Sequence, residues 1–156
     1  MVLSTEDLIQ SLPVALAQRS RSLANRSLAT RREFVLYWMH HAVRGHENPA
    51  LDVALTLANR IRLPVLVYQG LGGPSPYNSD RHHTFILQGA RVAHAELHKT
   101  GILAVFHLDP SARKPSPLHD LMKRAAAAVF EDYPAPPFPA WTLSVSYTHL
   151  RAHETQ

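Results

Sequence analysis

The sequence predicts an α/β fold, a Rossmann-like parallel sheet with helices on both faces, in a chain of 156 residues. Three observations point there. Short apolar runs recur as continuous blocks, not alternating ones, and such blocks mark strands buried on both faces. Segments with helical apolar period lie between them. Glycine and proline fall at the joints, where turns need them. The resulting β-α-β-α-β-α-β series, wound with right-handed crossovers, is expected to order its strands 3-2-1-4.

Each element has its own signal. Residues 5–29 carry helix-compatible spacing in patches, interrupted at Pro13, and read as a short helix and an irregular lead-in. Phe34-Val35-Leu36-Tyr37-Trp38-Met39 is the first strand. Asn48-Pro49 opens a helix, with Asn as cap and Pro at the first helical position, and Leu51, Ala54, Leu55, Ala58 and Ile61 follow with helical period. Pro64-Val65-Leu66-Val67-Tyr68 is the second strand, its proline at the position where a strand tolerates one. The segment from Gly70 to Pro76 reads as loop. A long helix starts near Ser79-Asp80 and runs to about Lys99, with Phe85, Ile86, Gly89, Val92, Ala93 and Leu97 expected inward and Gly101 at its C-terminal cap. Ile102 to Leu108 is the third strand. Leu118, Leu121 and Met122 mark a further helix, and Ala127-Ala128-Val129-Phe130 a fourth strand. Leu36, Trp38, Leu66, Val105 and Val129 are the expected interior.

Beyond Pro134 the character changes. Pro134, Pro136, Pro137 and Pro139 exclude a regular element, and Ser146 to Gln156 have no apolar period. The tail reads like translated adaptor sequence and is set apart from the fold. Doubly wound sheets ordinarily carry five or six strands, so a fifth strand counts as missing. The organisation expected is an N-terminal extension over 1–33, a truncated α/β domain over 34–143 and a non-native tail over 144–156.

Composition excludes several classes. A hydrophobic fraction of 46% suits a chain that buries a core. No stretch approaches the ~20 apolar residues that cross a bilayer, and Glu6 and Asp7 stand where a signal peptide would be basic. No membrane role is expected. The absence of cysteine removes disulfides, thiolate metal sites and thiol nucleophiles, and makes a reducing cytoplasmic location the default. Net charge is +4, with Arg19, Arg21, Arg26, Arg31 and Arg32 in one run. Such a run fits a phosphate-facing arm, but a solvated extension is its commoner meaning.

A doubly wound sheet binds ligands at the carboxyl ends of its strands. Here that edge comprises Met39-His40-His41, Gln69-Gly70-Leu71, Asp109 and Glu131-Asp132. No Gly-x-Gly-x-x-Gly and no Gly-Lys-Ser/Thr occurs, and Gly70-Leu71-Gly72-Gly73 opens into prolines instead of a helix, so it does not aim a helix N-terminus at a phosphate. His94 and His98 have the i, i+4 spacing of some zinc sites, but no third ligand accompanies them and they flank the apolar stripe, so both read as solvated. No metal site and no catalytic residue is assigned. There is no Gly-x-Ser-x-Gly elbow and no visible carboxylate pair.

Two blocks carry a family resemblance. Phe34-Val35-Leu36-Tyr37-Trp38-Met39, then Arg44, then Asn48-Pro49-Ala50-Leu51, resembles the opening of class II cyclobutane-dimer DNA photolyases, within the photolyase/cryptochrome family. Arg81-His82-His83-Thr84-Phe85-Ile86-Leu87-Gln88-Gly89 resembles that family's Arg-His-x-x-Phe-Met-Leu-x-Gly helix. Phe130-Glu131-Asp132-Tyr133-Pro134, followed by Trp141, is similar to its fourth strand and exit. The likeness spans about Arg19 to Trp141. It departs at His40-His41, where the family tends to carry Gln-Arg, and at Pro136-Pro137-Phe138, where it is usually basic.

The resemblance implies an N-terminal domain fragment of a carbon–carbon lyase, inactive by itself. The full-length form would repair UV-induced pyrimidine dimers, flipping them out of DNA toward FAD in a C-terminal helical domain. That helical domain and UV-damaged DNA are the implied partners. An antenna chromophore of deazaflavin or folate type would lie at the carboxyl edge, against His40, His41, Gln69 and Gly70. A cryptochrome-like photoreceptor domain and a free-standing nucleotide-binding α/β domain are the alternatives.

Overall fold

A computed structural model describes residues 4–23, 32–72, 79–109 and 116–133. Two short helices, α1 (Thr5–Gln10) and α2 (Val14–Ala17), flank Pro13. Strand β1 (Phe34–Trp38) leads to α3 (Pro49–Ile61), β2 (Val65–Gly72), α4 (Asp80–Lys99), β3 (Leu103–Asp109), α5 (Leu118–Arg124) and β4 (Ala125–Phe130). All three strand pairings are parallel and the order is β3-β2-β1-β4, as the sequence predicts.

The helix ends follow their local chemistry. Asn48 caps α3 by accepting the Leu51 N–H at 3.1 Å, and Pro49 needs no donor there. Ser79 caps α4 through the His82 N–H. At the far end of α4 the Ile102 N–H reaches Leu97 O at 3.0 Å and the Gly101 N–H reaches His98 O at 3.1 Å. That paired closure needs a left-handed residue, and Gly101 supplies it with φ +76°.

Alternation along the strands sends side chains into two cores. Val35, Tyr37, Met39 and Val67 join Leu51, Ala54, Leu57 and Ala58 of α3 and Ala93 and Leu97 of α4. Leu8 and Leu12 from the N-terminal stretch complete this larger core. On the opposite face Phe34, Leu36, Leu66 and Tyr68 pack with Leu118, Met122 and Ala125. Four consecutive buried residues, Phe34 to Tyr37, need a helix on each face of the central strand.

The structure departs from expectation in four places. Gly70-Leu71-Gly72 is not loop: it extends β2, paired with His107-Leu108-Asp109 of β3. Val105 is exposed, because α5 is the only described helix on its face and covers Leu36 and Leu66 instead of the edge strand. Leu103 lies beside it, 64% exposed. In α4, Phe85 and Val92 face solvent, while Ala90, Ala93 and Leu97 are buried. Small residues let the helix lie close to the sheet, which turns the bulky stripe aside. Trp38 and Val129 are half-buried, near the rim. The expectations for Gly73 to Pro76, for Arg26 and Arg31, for Trp141 and for the tail from 144 lie outside the described residues.

Leu36 is fully buried, whereas Leu103 is mostly exposed. Leu36→Ala is therefore expected to cost about 3 kcal/mol, and Leu103→Ser under about 0.5 kcal/mol. Urea unfolding of the two variants checks the contrast.

Candidate functional site at the carboxyl edge

Strand order reverses between β1 and β4, and the crevice of a doubly wound sheet opens at that point. The loop from Met39 to Glu47 runs over it. Met39 still pairs with β2, its N–H on Tyr68 O at 2.9 Å. The chain then turns away and is held by three polar side chains.

Asn48 is the first, 1% exposed. Its Nδ2 reaches Ala42 O at 2.9 Å, Arg44 O at 3.0 Å and Tyr37 Oη at 3.0 Å, while its Oδ1 caps α3. Glu131, directly after β4, is the second. It accepts the His40 N–H at 3.2 Å, the Ala42 N–H at 3.1 Å and the Tyr37 hydroxyl. Burial, and then the charge of Glu131, push the Tyr37 phenol far above its ordinary range, so it stays a neutral donor. Glu96 of α4 is the third, accepting the Gly45 N–H at 2.7 Å with His46 Nδ1 at 3.0 Å. A Cβ on Gly45 would lie 2.7 Å from Glu96 Cβ, so only glycine allows this approach.

These contacts decide what the crevice can accept. Backbone N–H groups after the first strand are the donors that commonly meet a ligand phosphate in such folds. Here the His40 and Ala42 donors already hold a carboxylate. A second anion at that spot would face both the charge of Glu131 and the loss of its donors. The geometry is therefore poor for a nucleotide phosphate.

Beside the carboxylate lies an aromatic ledge. The Trp38 and His40 rings meet edge-on at 5.0 Å, His40 and His41 lie 4.6 Å apart, and His41 stacks on Tyr133 at 4.5 Å. Phe130 closes the row against Trp38 at 6.2 Å. Burial, and then the neighbouring His41, hold His40 below the ordinary histidine range.

Of the four edge residues expected from sequence, His40 and His41 are brought together. Gln69 and Gly70 lie on β2. Gln69 is 4% exposed, on the α4 side of the sheet with its register partner Phe106, and its Oε1 is buried with no hydrogen-bond partner among the described residues. Gly70 is exposed, and a Cβ there would lie 3.0 Å from Tyr68 Oη.

Two other expectations change. His94 is half-buried against Phe106, not solvated, and burial lowers its pKa, whereas His98 is exposed. Within the arginine run, Arg21 pairs with Asp132 at 2.5 Å and Arg32 donates to Lys123 O, so these two bind the body of the domain. Sequence reasoning placed Glu131 at the edge without a role and read Asn48 only as a cap. It missed Tyr37, Glu96 and Tyr133. No local pattern announces a hydrogen bond between residues 94 positions apart, such as that of Tyr37 with Glu131.

Comparison with known proteins adds a sequence relative. The chain is 36% identical over 113 residues to a deoxyribodipyrimidine photo-lyase from Methanothermobacter thermautotrophicus. The match takes in 72% of this chain and 25% of the relative, so the chain spans about a quarter of that protein's length. This stretch is similar to part of a photolyase. Among solved structures, a universal stress family protein from Burkholderia pseudomallei aligns over 76% of this chain and 88% of its own, at 18% identity and a TM-score of 0.38. No protein-family model matches.

Two predictions follow from the loop's anchors. Asn48→Ala removes a cap and strands buried partners, so it should cost about 2–3 kcal/mol, more than the ~1 kcal/mol of a simple cap; urea denaturation measures it. Acid should also weaken the fold in two windows. His40 and His94 are depressed, so their contribution is complete above about pH 6.5 and is lost as pH falls through their folded values. Glu96 is depressed first by the Gly45 N–H and then by His46. Its contribution is present above the ordinary Glu value of about 4.3 and is lost below that. Thermal midpoints across pH should show both declines, with His94→Phe flattening the upper one and Glu96→Gln the lower.

Proposed function

We propose that this chain is the N-terminal α/β domain of a class II deoxyribodipyrimidine photolyase whose longer parent repairs pyrimidine dimers in UV-damaged DNA. The observation that carries the reading is the 36% identity over 113 residues to a photolyase. The two sequence blocks support it by falling on elements at one end of the sheet. The first covers β1, the Arg44 loop and the capped start of α3; the second opens α4. The occupied amides of His40 and Ala42 weigh against a free-standing nucleotide-binding domain.

In this reading FAD and the dimer pocket belong to a C-terminal helical domain of the parent, where bound FAD supplies the electron that splits the dimer. The present residues would hold the antenna chromophore. The His40, His41 and Tyr133 rings suit a flat aromatic system. His40, kept neutral by its surroundings, adds no charge to the ledge at neutral pH.

The experiment pairs two measurements. With FAD, reductant and light, the 156-residue chain should leave dimer-containing oligonucleotide unrepaired, and joining it in frame to a photolyase helical domain should restore repair. Repair by the chain alone would sink the reading. A deazaflavin titration followed by fluorescence should then weaken about tenfold in His41→Ala, the loss expected for a stacking ring. Unchanged affinity in that variant would refute the placement at this edge.

A further inference from the structure

The long helix α4 is apolar on two sides. Ala90, Ala93 and Leu97 face the sheet and are buried, and all three belong to its C-terminal half. A second stripe, Phe85, Gly89 and Val92, has i, i+4, i+7 spacing and so shares one helix side. Phe85 is 74% exposed and Val92 59%. Between them Gly89 leaves the surface open, since a Cβ built there meets nothing within 4 Å. Two large side chains around a glycine make a notch that admits the ridge of another helix at close range.

The same line continues to Glu96, one turn beyond Val92, and that end is already occupied. Glu96 seats the protein's own loop through Gly45 and His46. The remaining stretch extends a packing surface that the chain uses itself. Its border is basic: at the helical repeat Arg81 and Lys99 fall on one side of the stripe. The only acids on α4 are Asp80 at its first residue and Glu96, already committed to Gly45 and His46. No carboxylate lies within ion-pair distance of Arg81 or Lys99 among the described residues, although the Lys99 charge acts on nearby Glu96, which leaves Arg81 as the cation with no acid beside it on the helix.

We propose that the Phe85–Gly89–Val92 face of α4 docks an amphipathic helix whose apolar stripe is bordered by carboxylates. The chemistry selects this occupant. A second copy of the chain would bring Arg81 and Lys99 against their equivalents, and like charges at a contact are unfavourable. Nucleic acid would find its phosphates opposite an apolar notch. An acidic amphipathic helix meets both the notch and its border. The assignment rests on α4 itself and not on the photolyase reading.

The chain has no cysteine, so Thr84→Cys, at an exposed position, carries a single fluorescent label next to the stripe. The probes are a synthetic leucine–glutamate amphipathic helix, the same helix with lysine for glutamate, and duplex DNA. The glutamate helix is expected to saturate the signal, and the lysine helix to bind at least about tenfold more weakly. Phe85→Ala and Arg81→Glu should each weaken the glutamate helix about tenfold. Val92→Ser is a second stripe variant with the same expected direction. All three positions are exposed, so an unchanged unfolding curve shows that the fold is intact. Absence of binding, equal binding of both helices, indifference to Phe85→Ala, preference for DNA, or self-association that buries the label would each overturn the proposal.

Discussion

The carboxyl end of the sheet depends on one buried amide. Asn48 caps α3, holds the carbonyls of Ala42 and Arg44, and touches the Tyr37 hydroxyl, all while almost wholly excluded from water. Buried polar groups are tolerable when satisfied, and a satisfied network specifies one geometry. Through Tyr37 the network reaches Glu131, so the end of β1, the loop, the start of α3 and the exit of β4 are fixed together. The parallel sheet needs such a fixture because its strands are never joined by tight hairpins. Each crossover returns from a distance, and β1 and β4, neighbours in the sheet, are separated along the chain by two other strands.

That dependence explains what the sequence revealed. Strand β1 and residues 65–68 of β2 were legible because they are apolar without interruption, whereas the remainder of β2, from Gln69 to Gly72, was read as a turn. Asn48-Pro49 and Ser79 were legible because capping is local chemistry. The edge strand was legible as a strand and in its place, but its burial was not. Leu103 and Val105 are as apolar as a core strand, yet one face of β3 is uncovered. Composition reports what a side chain tolerates, not what lies over it. For the same reason the face of α4 was misread: two apolar stripes share one helix, and only the neighbours decide which goes inward.

The candidate site divides in the same way. His40 and His41 could be placed because the topology puts residues after β1 at the carboxyl edge, and the structure groups their rings. Gln69 belongs to the same edge by sequence, but alternation along β2 turns it to the α4 side, where its amide oxygen is buried. Tyr133 joins the histidines across 92 positions of chain, beyond the reach of any motif. These imidazoles lie in an aromatic row with Trp38 and Tyr133, whereas an arginine at the second position would bring a permanent charge to the ledge.

A doubly wound sheet offers its ligand two resources at the point of strand reversal: free amide donors and a sheltered surface. In this chain the donors go to an internal carboxylate, and the surface is lined with rings. The fold thus keeps the rings at its edge and gives up the phosphate hold. What remains at the edge is a row of rings beside a carboxylate, with burial holding His40 toward its neutral form. The choice is built into the scaffold. Freeing the amides by removing Glu131 would also take the acceptor from the Tyr37 hydroxyl, so recovering an anion site would undo part of the fixture that holds the loop.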